Sequence, residues 1–334
     1  MGETIPFPTK IKRMFIPKVS IIIPVYNLAD YIEISVASLL AQTYQNIEIV
    51  LVDDGSKDAS LAIIKQLAAS DNRIIYATQP NGGAAKARNT GLALATGEFI
   101  TFVDGDDMLS PNVIADNINY FVDDKIDWVA FSIRRVDAEG NYIQAKGVYE
   151  DFIIPSYEEI SSESFVPYYY SRKLSGVACA AIYRRTSIDS FSYVEGKYYE
   201  DGIYFIDLLC NTQCAVLSER GEYLYVDRDG SSQKAALDYK HLESDYFCFT
   251  RRMSKYRCLY PQYEDYYSAQ ENSYYYFLKN EMSKDTEGAE YFFELFKQTM
   301  QAPLKINLSK ELKFWIYKLF GYKRLKDLYL RLKK

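Results

Sequence analysis

Two short runs hold most of the residues with which this chain could do chemistry. In "FVDGDDML" (102–109), Asp104, Asp106 and Asp107 crowd around Gly105. In "DDGS" (53–56), Asp53 and Asp54 precede a glycine and a serine. Carboxylates held within a few ångström of one another repel, and a hard divalent cation reverses the sign of that interaction. Mn2+ and Mg2+ suit such oxygen donors. Mg2+ takes one or two carboxylates and completes its shell with phosphate oxygens, so a phosphate-bearing ligand is implied. The competing reading of 104–107 is a strand-to-helix turn, with Asp as cap and Gly for the bend. For 53–56, an acid ending a parallel strand can accept hydrogen bonds from a ribose or a base edge, or simply cap a helix. Neither run is an EF-hand, because no D-x-D-x-D-G-x5-E pattern follows.

Two further runs belong with these. "NGGAAKARNTG" (81–91) sets Gly82 and Gly83 before a helix that carries Lys86 and Arg88. They offer backbone and cations to phosphate, or make an ordinary loop and an amphipathic helix with a solvated lysine. "YYEDGIYFIDLL" (198–209) places Glu200 and Asp201 ahead of an apolar helical stretch. Acids there suit the helix dipole, and one facing a ligand could act as a general base. The tyrosine clusters "VPYYYS", "KYYE" and "NSYYYF" have faces that could stack on sugars. Packing explains most of them, and no single tyrosine is assigned to a sugar.

The acids are delivered by strands. "VSIIIPV" (19–25), "IEIVLV" (47–52), "RIIYAT" (73–78), "EFITFV" (98–103) and "DWVAFSI" (127–133) read as buried strands. Helical patterns lie between them, in 28–44, 56–70, 82–96 and 111–122; Ser56 or Asp58 is expected to cap the second. This alternation predicts an α/β fold with a mostly parallel, Rossmann-like central sheet and helices on both faces. Ligands of such sheets bind beyond the carboxyl ends of the strands, where both acid runs fall. After residue 135 the alternation gives way to loops, short strands and tyrosine-rich segments. From about 238 the pattern is helical.

Composition narrows the function. The chain has 334 residues and a net charge of −6, which argues against a nucleic-acid binder. Residues 305–334 hold ten Lys/Arg against two acids, a net +8, which leaves −14 on the remainder. Five cysteines without a CxxC pair read as reduced thiols of a cytoplasmic protein. His241 is the only histidine, so a histidine-based metal site or triad is excluded. Residues 1–18 carry no apolar stretch of the kind a secretion signal needs, and no run approaches the roughly 20 apolar residues that span a bilayer.

The quoted runs, taken with "PVYN" (24–27) and "YLYVDRDGSSQ" (223–233), resemble the family 2 glycosyltransferases of GT-A fold in order and spacing, over about residues 17–235. The resemblance implies inverting transfer of a sugar from a nucleotide-diphosphate sugar, of the kind that builds bacterial surface polysaccharide. On it, Asp53 matches the acid that binds the base of the nucleotide. Asp104 matches the first acid of the DxD motif and Asp106 the acid that binds the metal. Asp201 matches the general base, with Glu200 beside it. Arg228, Ser231 and Ser232 match a segment that closes over the diphosphate. Pro24, Val25, Tyr26, Asn27, Asp54, Gly82 and Arg88 are placed with them in the nucleotide-sugar site, and Mn2+ or Mg2+ is the expected cofactor. The implied donor is a UDP-hexose or UDP-N-acetylhexosamine, and the implied acceptor a saccharide or lipid-linked saccharide.

The expected organisation is an N-terminal extension (1–17), a catalytic domain (18–235) and a helical C-terminal region (236–334). The catalytic domain divides into a nucleotide-binding half (18–135) and an acceptor half (136–235). Residues 308–334 alternate basic and apolar side chains, which suits either packing on the body or a peripheral contact with the inner face of the cell membrane. Two other classes stay open. A nucleotidyltransferase would need a glycine-rich loop with Arg and Lys after the first strand, where "PVYNLADY" stands. A non-catalytic nucleotide-binding module would have no use for both "DGDD" and the Glu200–Asp201 pair.

Overall fold

The computed structural model describes residues 16–143, 151–170, 173–228, 238–284, 286 and 288–299. The chain forms two compact units. One comprises Met1–Ser161, Cys179–Ser192 and Thr212–Asp227; the other comprises Ser162–Ala178, Tyr193–Asn211 and Arg228–Lys334.

The first unit is built on one sheet. Its leading strands are β1 (Val19–Val25), β2 (Ile47–Asp53), β3 (Ile74–Thr78) and β4 (Phe99–Phe102), parallel in the order β3-β2-β1-β4. β1 and β2 are uninterrupted apolar runs apart from Ser20, Pro24, Glu48 and the closing Asp53, and nearly every residue in them is buried. Side chains on both faces of a strand are covered when helices flank the sheet. Those helices are α1 (Ile32–Leu40), α2 (Ser60–Ser70), α3 (Ala84–Leu94) and α4 (Val113–Asn117). α3 packs on β1 and β2, and α2 on β3. Because β1 pairs with β2 on one side and β4 on the other, the chain reverses its direction of travel across the sheet at β1. The crevice at such a reversal is where doubly wound sheets take their ligands.

Beyond β4 the sheet turns mixed. β5 (Met108–Leu109), β6 (Trp128–Val136), β7 (Glu158–Ser161), β8 (Ala181–Arg184) and β9 (Cys214–Val226) complete it. β8 runs antiparallel between β4 and β6, and β6 and β9 run parallel to each other. β9 is a 13-residue strand where only short strands are expected from the sequence. Its polar stretch Glu219–Arg220–Gly221 disguises it. The pairing jumps from Phe131↔Ser218 to Ser132↔Glu222, so these three residues bulge out of the ladder. Gly221 holds φ at +73°, and a Cβ there would meet Val113 at 2.7 Å. The run 111–122, expected as one helix, is α4 followed by a 3-10 turn over Ile118–Val122. α2 starts at Ser60, with Ala59 and neither Ser56 nor Asp58 at the cap position; Asp58 accepts the Ser60 N–H at 2.9 Å from two positions upstream.

Away from the ligand edge, Glu48 stitches the start of the sheet together. It is 5% exposed and accepts hydrogen bonds from Ser20 Oγ at 2.5 Å, Thr96 Oγ1 at 2.8 Å and Gly97 N at 3.1 Å. Burial alone would raise its carboxyl, but Lys18, Ser20 and Thr96 favour the charged form and hold it at about 2. A folded value below the ordinary one adds stability above the unfolded value, near 4.5, which is lost as pH falls towards 2. Glu48→Gln is expected to cost about 2 kcal/mol at pH 7. Thermal melts from pH 7 to 2 check it: the gap between variant and parent should narrow as pH falls below about 4.5 and close near 2.

The second unit is helical. It contains α5 (Ser162–Tyr170), α7 (Glu200–Asn211), α8 (Tyr239–Leu259), α9 (Glu264–Ser283) and α10 (Ala289–Thr299); the short α6 (Arg185–Ile188) belongs to the first unit. α7 is fixed to α8 through buried Asp207, which meets Arg251 Nη2 at 2.9 Å and also Lys255. Phe249 of α8 stacks on Tyr274 of α9, with centroids 4.0 Å apart. All five cysteines are free. Among the described residues no helix is long and apolar enough to cross a membrane. The basic run 308–334 lies outside the described residues.

Candidate active site

Three loops at the carboxyl ends of β1, β2 and β3 are lashed to one another. Residues 26–29 follow β1. There the Asn27 N–H donates to Ser56 Oγ at 3.0 Å, Leu28 N–H to Ser60 Oγ at 2.8 Å and Ala29 N–H to Asp58 at 3.1 Å. Asn27 returns the bond by accepting from Lys57 N–H at 2.8 Å. To make both contacts Asn27 takes φ +53°, a left-handed conformation that Asn tolerates better than most residues. Tyr26 is exposed beside it, and Pro24 and Val25 end β1.

Asp53, the last residue of β2, is 1% exposed. Its carboxylate accepts from Ser56 N–H at 3.3 Å and Thr78 Oγ1 at 3.1 Å. Asp54 is turned to the next loop, where it accepts from Gly82 N–H at 2.9 Å, Gly83 N–H at 2.7 Å and Gln79 Nε2 at 2.7 Å. Asp54 thus holds the glycine loop in place ahead of α3. Gly55, at φ +73°, lets this turn press against residues 79–81; a Cβ there would stand 2.9 Å from Asn81 N. Gln79 and Thr78 are parts of the site that local sequence did not single out.

The three acids after β4 have three different environments. Asp104 keeps about a third of its side chain exposed and pairs with the buried guanidinium of Arg88 at 2.7 Å. Asp106 is partly exposed. Asp107 is buried, accepting from Tyr223 Oη at 2.6 Å and Val226 N–H at 2.8 Å. Burial first, and then the charges of Asp104 and Asp106, push its carboxyl well above the usual range. The Tyr223 hydroxyl also accepts from Asp104 N–H at 3.2 Å, so one buried phenol ties both ends of the acid loop to β9. Nothing local in "YLYV" (223–226) signals this. Gly105 sits against the end of β1, where a Cβ would meet Leu28 Cδ1 at 2.8 Å and Pro24 O at 3.2 Å.

The acids do not form a closed metal cage. Among the described residues no group of three or more His, Cys, Asp or Glu could hold a metal ion. Asp107 is committed to Tyr223 and Val226, and Asp104 shares an oxygen with Arg88. Asp106 and Asp104, both partly exposed, fit a cation that takes one or two carboxylates and completes its shell from phosphate.

In the second unit, Glu200 and Asp201 open α7, both partly buried. Arg228 is also described; Ser231 and Ser232 lie outside the described residues.

This arrangement, with acids at the ends of β2 and β4 on either side of β1 and its strand-order reversal, suits a ligand carrying both a nucleoside and phosphates. The sequence model of the family "Glycosyl transferase family 2" matches residues 20–191, more than half of the chain. The chain belongs to the family 2 glycosyltransferases. Among curated relatives, glycosyltransferase GlyA of Streptococcus pneumoniae is 31% identical over 225 residues, covering 64% of this chain and 31% of GlyA. Glycosyltransferase GlyG of the same organism is 29% identical over 71% of this chain and 79% of its own. Among solved structures, S. aureus TarS 1–349 in complex with UDP-GlcNAc superposes with a TM-score of 0.61 at 23% identity, over 72% of this chain and 66% of that one. The mannosyltransferase PcManGT of Pyrobaculum calidifontis, in complex with GDP-Man and Mn2+, gives 0.54 at 16% identity, over 75% and 68%. These likenesses identify the GT-A fold of this glycosyltransferase, whose matched region spans about a third of GlyA.

Proposed function

We propose that this glycosyltransferase moves a hexose or N-acetylhexosamine from a UDP-sugar, with inversion, onto a hydroxyl of a saccharide or lipid-linked saccharide. The observation that carries this reading is the convergence of Asp53, Asp104 and Asp106 at one sheet edge, with Asp53 already held by Thr78 and Asp104 by Arg88 and Tyr223. Such a site needs little reorganisation when the donor arrives. Asp53 receives the base of the nucleotide, with Tyr26 and Asn27 beside it. Asp104, fixed by Arg88 and Tyr223, lies at the ribose. A divalent ion held by Asp106 with Asp104 would supply positive charge where the leaving diphosphate gathers negative charge. Arg228, with Ser231 and Ser232, meets the diphosphate. Asp201 takes the proton of the acceptor hydroxyl as it attacks the anomeric carbon, and Glu200 adjoins it. A single displacement of this kind inverts that carbon. UDP is favoured by the fold shared with TarS, and Mn2+ by the fold shared with PcManGT.

Thermal melts with UDP, GDP and their sugars, each with and without Mn2+, test the reading. UDP with Mn2+ is expected to raise the melting temperature by several degrees, and UDP alone by much less. Indifference to every nucleotide would remove the assignment.

We also propose that residues 308–334 rest on an anionic membrane surface, which explains why positive charge is confined to one end of an acidic chain. Each Lys or Arg near such a surface contributes roughly 1 kcal/mol, weakened by salt. The full chain is expected to co-sediment with phosphatidylserine-containing vesicles in a salt-sensitive way, and a chain ending at Gln301 to stay in solution. Equal sedimentation of both would assign the segment to packing.

A further inference from the structure

The residues just ahead of Glu200 are held in an unusual way. Tyr199 takes φ +60°, a left-handed conformation uncommon for a bulky side chain, and its carbonyl accepts the Ile203 N–H at 3.2 Å in the first turn of α7. Residues with such backbones persist where the surroundings fix them, and they concentrate at ligand sites. Here the surroundings are the first turns of α8. Lys197 Nζ meets Glu243 at 2.7 Å, and the Tyr198 N–H donates to Ser244 Oγ at 3.0 Å. The Tyr198 ring lies flat on the imidazole of His241, with centroids 4.0 Å apart and planes 5° apart. His241 is itself held by Asp238, whose carboxylate meets Nδ1 at 2.7 Å and accepts the His241 N–H at 3.0 Å.

The Tyr199 ring stands at 63° to the same imidazole, with centroids 6.4 Å apart. The two tyrosine rings are therefore steeply inclined to each other and form a corner. Yet Tyr198 is 45% and Tyr199 43% exposed, although Tyr193, Tyr204, Tyr256 and Tyr267 of the same unit are fully buried. Four contacts and a left-handed backbone thus hold two tyrosines in a fixed pose without burying them. Packing does not require that arrangement.

We infer that Tyr198 and Tyr199 form the platform for the acceptor saccharide, with Glu200 at its edge. A pyranose has a face of C–H groups that packs on an aromatic ring, and its rim of hydroxyls takes hydrogen bonds from phenols and gives them to carboxylates. Two inclined rings grip such a ligand on two sides, and their fixed pose lowers the ordering cost of binding. The inference rests on the reading of Asp201 as the base. The hydroxyl it deprotonates lies within hydrogen-bond reach of its carboxylate, and Tyr198 and Tyr199 precede that acid by three and two residues at the start of α7. The only histidine of the chain is then a positioning residue, the floor on which Tyr198 rests.

The test uses the full chain with Mn2+, UDP-GlcNAc and UDP-glucose as donors, and the 4-nitrophenyl β-glycosides of glucose, galactose and N-acetylglucosamine as acceptors, followed by UDP release. Tyr198→Ala and Tyr199→Gly are expected to raise the KM for the glycoside at least tenfold while the donor KM moves less than twofold. Tyr198→Phe, which keeps the ring on His241 and loses only the phenol, is expected to raise the glycoside KM less than Tyr198→Ala does. Tyr199→Gly removes the ring and suits the left-handed backbone, so it should melt no lower than the parent. An unchanged glycoside KM in both ring-removing variants would overturn the platform. So would a parallel rise in both KM values with a lower melting temperature, which marks a structural role. A parent enzyme that releases no UDP from either donor, with or without glycoside, would overturn the transfer reading itself and is distinguishable from both.

Discussion

Replacing Asp201 by asparagine is expected to slow glycosyl transfer by about 100- to 10,000-fold, the usual size of a general-base effect, while the affinity for UDP-sugar stays near the parent value. Asparagine has the same shape and still accepts hydrogen bonds, so the start of α7 should survive the change. What it lacks is a group able to take a proton from the attacking hydroxyl. Glu200 is the necessary comparison, because it is the other acid in the same turn. Glu200→Gln should cost less than tenfold if Asp201 is the base. The measurement is single-turnover transfer at saturating donor, with donor affinity from calorimetry. A parental rate in Asp201→Asn together with a large loss in Glu200→Gln would move the base by one residue. Parental rates in both would place it elsewhere.

The second large effect is expected at Asp106. Asp106→Ala should weaken Mn2+-dependent UDP binding by on the order of 100-fold or more, about 2.7 kcal/mol, and transfer should fall with it. Binding of UDP without metal should change little. Stability should not suffer, because Asp106 is one of the charges that push the buried Asp107 carboxyl upward, and its removal relieves that repulsion. Asp107→Asn is the contrasting variant. It disturbs the acceptor of the Tyr223 hydroxyl and the Val226 N–H, so it should lower the melting temperature as well as activity. Calorimetric titration of UDP with and without Mn2+, beside thermal melts, separates the two. An Asp106→Ala protein with parental Mn2+-dependent affinity would show that the ion is held by other groups.

The two acids after Gly105 also show how far local sequence reaches. Asp106 and Asp107 are identical neighbours in "DGDD", and no local rule separates an acid open to a ligand from one buried as a tie. The distinction comes from Tyr223 and Val226, 116 and 119 residues away along the chain. Arg88 is a similar case. Its neighbours in sequence mark it only as a cation that could meet phosphate, and nothing local shows that it is buried against Asp104. Asp54 reads as a twin of Asp53, but three donors from residues 79–83 turn it towards the glycine loop.

The strands β1 and β2, the alternation of strand and helix, and the delivery of Asp53 and Asp104 to strand ends were determined by the sequence alone. Each depends on a pattern a few residues long: an unbroken apolar run buries both faces of a strand, and parallel strands joined by helices bring their carboxyl ends to one edge. The family motifs were legible for the same reason, since their residues are contiguous. The tertiary structure alone decided the length of β9, whose bulge hides it from any periodicity, and the surroundings of each acid. It also decided which of the many tyrosines are held in place yet left exposed. A side chain's ionisation and partners depend on what the fold brings within about 3 Å of it, and that company is drawn from distant parts of the chain.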